Sequence, residues 1–116
     1  MASFEGFEVW TRAVQLSIEL NRDLGEPRDY GFRDQVTKAD LSVPSNIAES
    51  MKRESKADKL RVLRISRGSC GELRMRIQIG MEIDCIDRKT GQHWMQGTRE
   101  ISAMLVGLIR SIERGG

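Results

Sequence analysis

Ser42, Asn46, Glu49 and Arg53 come nearest to a chemical site in this 116-residue chain. They recur at steps of four, three and four, so on a helix they share one face. Such a stripe could hold a catalytic carboxylate. It could also supply hydrogen bonds to a disturbed backbone, or a buried polar network between subunits that fixes their register. The catalytic option lacks partners. The one histidine, His93, falls at a helix start or loop, with no Cys or Glu at zinc-ligand spacing. No Glu-x-x-His pair points to a di-iron site. Gly68-Ser69-Cys70-Gly71 lies within a helical pattern, so it is neither a phosphate loop nor a nucleophile elbow. Cys70 projects toward the expected core, where a thiol is a small hydrophobe. No catalytic residue, metal site or cofactor is expected, and the stripe reads best as a structural and inter-subunit network. Pro44 stands inside it, and Ser42 and Asn46 are expected to serve carbonyls that the proline frees.

A second group of side chains is cationic. Residues 52–76 carry nine basic and three acidic groups, against five and nine in residues 1–51, although the whole chain is only +2. Lys56, Arg64, Arg67 and Arg74 fall within about an 80° arc at helical spacing, with Arg53 and Lys59 near its beginning. Regular cations could match phosphates along RNA or DNA. Aromatic neighbours are few, which argues against stacking on single-stranded bases.

Helices must position these groups. Apolar residues recur at helical period in four stretches, about 7–24, 29–53, 55–84 and 90–113, in one domain spanning residues 1–116. Gly25 and Pro27 are expected to end the first. The apolar period of the second continues through Pro44, which predicts a kink and not a break. Ser55 with Asp58 caps the third. The third also carries two apolar faces. Val62, Leu63, Cys70, Leu73, Ile77 and Met81 form one, while Ile65, Met75, Ile79 and Ile83 lie 120–180° away by the ~100° step per residue. A bundle helix needs one apolar stripe, so the second predicts an oligomer interface. Short connections make successive helices antiparallel. The expected fold is all-α, an antiparallel up-down-up-down four-helix bundle with a Pro-kinked second helix. No run spans a membrane and no signal region opens the chain. Cys70 and Cys85, about 22 Å apart on one helix by its rise, could not bridge. A reduced, cytoplasmic protein is expected.

Trp10 with Ala13, Tyr30-Gly31-Phe32 with Gln35, Ser42-Val43-Pro44-Ser45-Asn46-Ile47-Ala48-Glu49, Arg53, Ser55, Gly68-Ser69 and Glu72-Leu73 carry a resemblance. The chain resembles, over about residues 4–112, the four-helix-bundle proteins of the 23S rRNA intervening-sequence family. That family is similar to the accessory variability determinant of diversity-generating retroelements. The resemblance implies a ring-shaped homopentamer with a central channel and no established enzymatic activity. Through the retroelement branch it implies contact with nucleic acid and a reverse transcriptase by a basic surface. Asp40 stands where alanine is usual, Ser50 where glycine is, Thr37 in place of a frequent arginine and Lys59 in place of an aromatic. Asp40 and Lys59 are expected to pair across the second and third helices. Two functions follow: a homo-oligomeric scaffold contacting nucleic acid or its enzyme, or a purely structural, protein-binding oligomer.

Overall fold

Four helices make up the computed structural model, which describes residues 4–24 and 30–115. They are α1 (Phe4–Asp23), α2 (Tyr30–Lys52), α3 (Lys56–Glu82) and α4 (Arg88–Glu113), and no strand occurs among the described residues. The expected stop at Gly25 and Pro27, the start at Asp29 and the last glycine, Gly116, lie outside the described residues. The helices pack around the seams α1–α2, α2–α3, α3–α4 and α4–α1, in a body 46 × 21 × 18 Å. Neighbours run in opposite directions along the seams that side-chain contacts define. Ser42 meets Ser69 while Ser50 meets Lys59, and Arg12 meets Glu100 while Glu19 meets His93. Leu20, Val36, Ile47, Leu63, Ile77, Trp94, Ile101 and Leu105 fill the centre, each less than 2% exposed. Burial of these side chains is the main stabilising term, at about 1.5–3 kcal/mol each before entropy is counted.

α2 passes through Pro44 as one helix. The proline removes the donor that would serve the Asp40 carbonyl. Asn46 does not reach that carbonyl. Its Nδ2 donates to the Ser42 carbonyl at 2.8 Å and to Ser42 Oγ at 3.0 Å. The next carbonyl before the proline, that of Val43, accepts from the buried Ser66 Oγ of α3 at 2.8 Å. A neighbouring helix therefore ties down the backbone beside Pro44.

α3 begins as its sequence suggests, with Ser55 Oγ accepting from the Asp58 amide at 3.0 Å. It stops at Glu82, before Cys85. Asp84 takes a left-handed φ of 60°, and the Cys85 and Ile86 amides return to the Gly80 carbonyl at 2.8 and 3.0 Å. Cys85 thus lies exposed in the turn, and both cysteines are free thiols. α4 starts at Arg88, two residues earlier than its pattern suggests, because Asp87 accepts from the Thr90 amide as N-cap. Gly91 is a packing residue and not a loop breaker: a Cβ there would collide with Met81 Sδ.

Candidate nucleic-acid and self-association surfaces

The polar stripe of α2 resolves into two local pairings. Ser42 Oγ and Ser69 Oγ lie 2.7 Å apart, so Ser42 and Asn46 join α2 to α3 within the chain. Glu49 and Arg53 form a half-exposed ion pair at 2.9 Å, worth a few tenths of a kcal/mol. Arg53 Nε is buried without a hydrogen-bond partner. Asp40 does not pair with Lys59. Its carboxylate faces α1, accepting from Ser17 Oγ at 2.9 Å and Asn21 Nδ2 at 3.2 Å. Lys59 Nζ donates instead to the Ser50 carbonyl at the end of α2, at 3.2 Å. The pairing fails because the two residues occupy different seams: Asp40 turns to α1, and only the far end of α2 meets Lys59.

The cations of α3 divide by what lies on α4. Lys56 Nζ donates to the Glu113 carbonyl and Arg64 pairs with the Glu113 carboxylate, both at 2.9 Å. Arg74 is half-buried, its Nε donating to Thr98 Oγ1 at 3.1 Å. Arg67 is exposed and makes no ion pair among the described residues. By helical spacing Arg99 and Arg110 of α4 project on the α3 side of its outer face. Both are exposed and without an ion pair among the described residues, as is Arg114 just beyond. Arg99 and Arg110 are missed when charge is counted by segment, because residues 77–116 hold five cations and five anions. Two of those anions point sideways: Glu100 pairs with Arg12 of α1 and Glu113 with Arg64 of α3. The helical position of each charge, and not the segment total, would have found them.

Ile65, Met75, Ile79 and Ile83 are 45%, 53%, 44% and 53% exposed, on the side of α3 away from the core. Gly68 and Gly71 lie on the same outward part of α3, with open space where a Cβ would be. A second apolar area occupies the outer sides of α1 and α2. It contains Phe7, Ile18 and Leu41, all about half exposed, with the Phe7 and Trp10 rings 6.1 Å apart. This second area has no signal in the periodicity of α2, where Leu41 is a single apolar residue among Asp34, Lys38 and Ser45.

The remaining chemical candidates are quiet. Burial pushes the Cys70 thiol up to about 11, against the nearby Arg74 guanidinium, and its Sγ donates to the Thr98 carbonyl at 3.2 Å. The thiolate needed for nucleophilic chemistry is therefore disfavoured. His93 lies on α4, not in a loop, with Nε2 3.1 Å from Glu19 Oε2 of α1. Among the described residues no three His, Cys, Asp or Glu side chains gather as a metal site. No described helix is long and apolar enough to cross a membrane.

The family description "23S rRNA-intervening sequence protein" matches residues 5–107. The chain belongs to that family. A crystal structure from the S23 ribosomal protein family of Bacteroides thetaiotaomicron, described as a protein of unknown function, has the same fold, with a TM-score of 0.87. The two chains are 17% identical, and the similarity covers 92% of this chain and 99% of the other. Among curated proteins no sequence matches. Membership in the 23S rRNA-intervening sequence family accounts for the four-helix architecture. It assigns no reaction to the surfaces above.

Proposed function

We propose that this chain is a non-enzymatic scaffold. It assembles with copies of itself and presents the α3–α4 face to nucleic acid, or to an enzyme acting on nucleic acid. The observation that carries this reading is the segregation of exposed residues: apolar on the outside of α3 and of α1–α2, cationic along α3–α4. Exposed apolar clusters favour a protein partner. The two apolar areas differ from each other, which favours head-to-tail contacts that close into a ring. The charges agree, with residues 1–51 at −4 and residues 52–76 at +6. A ring of five rests on the family resemblance alone, and a reverse-transcriptase partner on the likeness to retroelement proteins. The unlinked thiols suit a cytoplasmic setting.

Arg67, Arg99 and Arg110 are the cations most available to phosphate. Arg53, Lys56, Arg64 and Arg74 contribute less, because each already has a partner within the chain. Mobility shift with duplex DNA and structured RNA across a salt series tests the reading. Binding that weakens with salt, and a slope that becomes shallower in R67A/R99A/R110A, are expected. No binding at low salt would leave the second reading, a purely structural oligomer whose partner is another protein. The engagement of Lys56 and Arg64 by Glu113 favours that alternative.

A further inference from the structure

The cations left free on α3 and α4 form a row. Each of the five acids on these two helices is held by another cation. Asp58, Glu72 and Glu82 pair with Arg61, Arg76 and Arg88, Glu100 with Arg12 and Glu113 with Arg64. Arg67, Arg99 and Arg110 stay exposed, with no ion pair among the described residues. Their order along the face follows from the seam. Arg74 meets Thr98 and Arg64 meets Glu113, so Arg67 falls between the levels of Arg99 and Arg110. Arg99 and Arg110 lie about 16.5 Å apart along α4 by its rise of ~1.5 Å per residue, on nearly the same side of the helix. The one aromatic residue of α3 and α4, Trp94, is 1% exposed.

We propose that the α3–α4 face takes double-stranded nucleic acid, held by phosphates along one side of the duplex and without regard to sequence. The inference rests on reading this face as a nucleic-acid surface, and it names the kind. One strand of a duplex places a phosphate about every 3.4 Å along the axis. A row about 16.5 Å long therefore spans roughly five phosphates, about half a turn. Over half a turn a strand stays on one side of the duplex, so a straight, rigid row meets it without wrapping. Arg67 and Arg99 flank the seam, so the face presents two helices at once, about 20 Å across. The major groove is only about 12 Å wide. The row thus meets the backbone and not base edges, and phosphate contacts carry no sequence information. A flexible single strand has to be straightened to follow the row, and no exposed aromatic stacks its bases in return. Counterion release adds to the difference. Each contact contributes about 0.9 to the salt slope on a duplex and about 0.7 on a single strand. For three contacts and equal affinity at ~1 M salt, that alone makes the duplex about sixfold tighter at ~50 mM.

Fluorescence anisotropy with the unmodified chain at about 50 mM salt tests this on three probes. They are a duplex, a second duplex of unrelated sequence, and a single strand of the same length without self-complementarity. The two duplexes should bind within about twofold of each other and at least about sixfold more tightly than the single strand, with the steeper salt slope. R67A/R99A/R110A should lose most of that preference. Lys38→Ala, which removes an exposed cation from α2, diagonal to α4 in the bundle, should keep it. A single strand bound as tightly as the duplex would overturn the proposal. So would a strong preference for one duplex sequence, or a Lys38→Ala variant that loses the preference as fully as the triple one. Absence of binding to all three probes removes the nucleic-acid reading of the face and this inference with it. Equal binding of single strand and duplex removes the inference alone.

Discussion

α3 and α4 are adjacent helices of similar length, each with one face on the same core, yet the outer side of α3 mixes apolar residues with charges and that of α4 carries no large exposed apolar residue. The outside of α3 carries Ile65, Met75, Ile79 and Ile83 around two open glycines. The outside of α4 carries Arg99 and Arg110, with Arg114 just beyond its end. Packing of the monomer accounts for neither, since both faces point away from the core. Apolar residues left in water gain nothing for the monomer, and Gly68 and Gly71 weaken an exposed helix by about 1 kcal/mol each relative to alanine. Unpaired arginines cost little in water and are favoured beside anions. The difference supports the proposal that two adjacent surfaces of one fold serve two kinds of partner.

The largest effect should come from breaking the α3 side. Ile79→Asp with Ile83→Asp should reduce an assembled protein to a monomer by light scattering, with the far-ultraviolet helical signal unchanged. Survival of the assembly would move the interface elsewhere, with the α1–α2 area next in line. The α4 side is tested by charge reversal. Arg67→Glu, Arg99→Glu and Arg110→Glu together should lower nucleic-acid affinity at least about tenfold near 50 mM salt. Each lost contact should make the salt slope shallower by about 0.7–0.9. Arg64→Glu should do less, because Glu113 already occupies that guanidinium.

Much of this comparison is legible in the sequence, for a physical reason. Helical period reports which residues share a face, so the second apolar stripe of α3 and its cationic arc can be read without coordinates. Period does not report what a neighbouring helix presents. Arg64 and Lys56 therefore look free until Glu113 is placed beside them, and Asp40 looks like a match for Lys59 although its seam belongs to Ser17 and Asn21. Gly91 masks the start of α4, because its missing side chain makes room for Met81 and not for a turn. Acids that pair sideways hide Arg99 and Arg110 from a segment count.

Asp40 contributes a smaller effect on stability, because burial pushes its carboxyl from 3.8 up to about 6, against the opposing hydrogen bonds from Ser17 and Asn21. Asp40→Asn should stabilise the fold by about 1–3 kcal/mol at pH 8, where the wild-type carboxylate is buried and ionised, and by almost nothing near pH 4. Denaturant unfolding at the two pH values checks this. A benefit that does not shrink on acidification would place the gain elsewhere. The smallest effect belongs to the glycines. Gly68→Ala and Gly71→Ala should each raise the stability of the monomeric Ile79→Asp, Ile83→Asp double variant by up to ~1 kcal/mol. In the wild-type background the same changes should weaken self-association if a second helix approaches there.

The native mass tests the central claim most directly. Sedimentation or light scattering of the unmodified chain at micromolar concentration should return a closed multiple of 13.2 kDa that holds on dilution. A 13.2 kDa particle at every concentration would contradict the reading of the outer face of α3 as a surface for another copy.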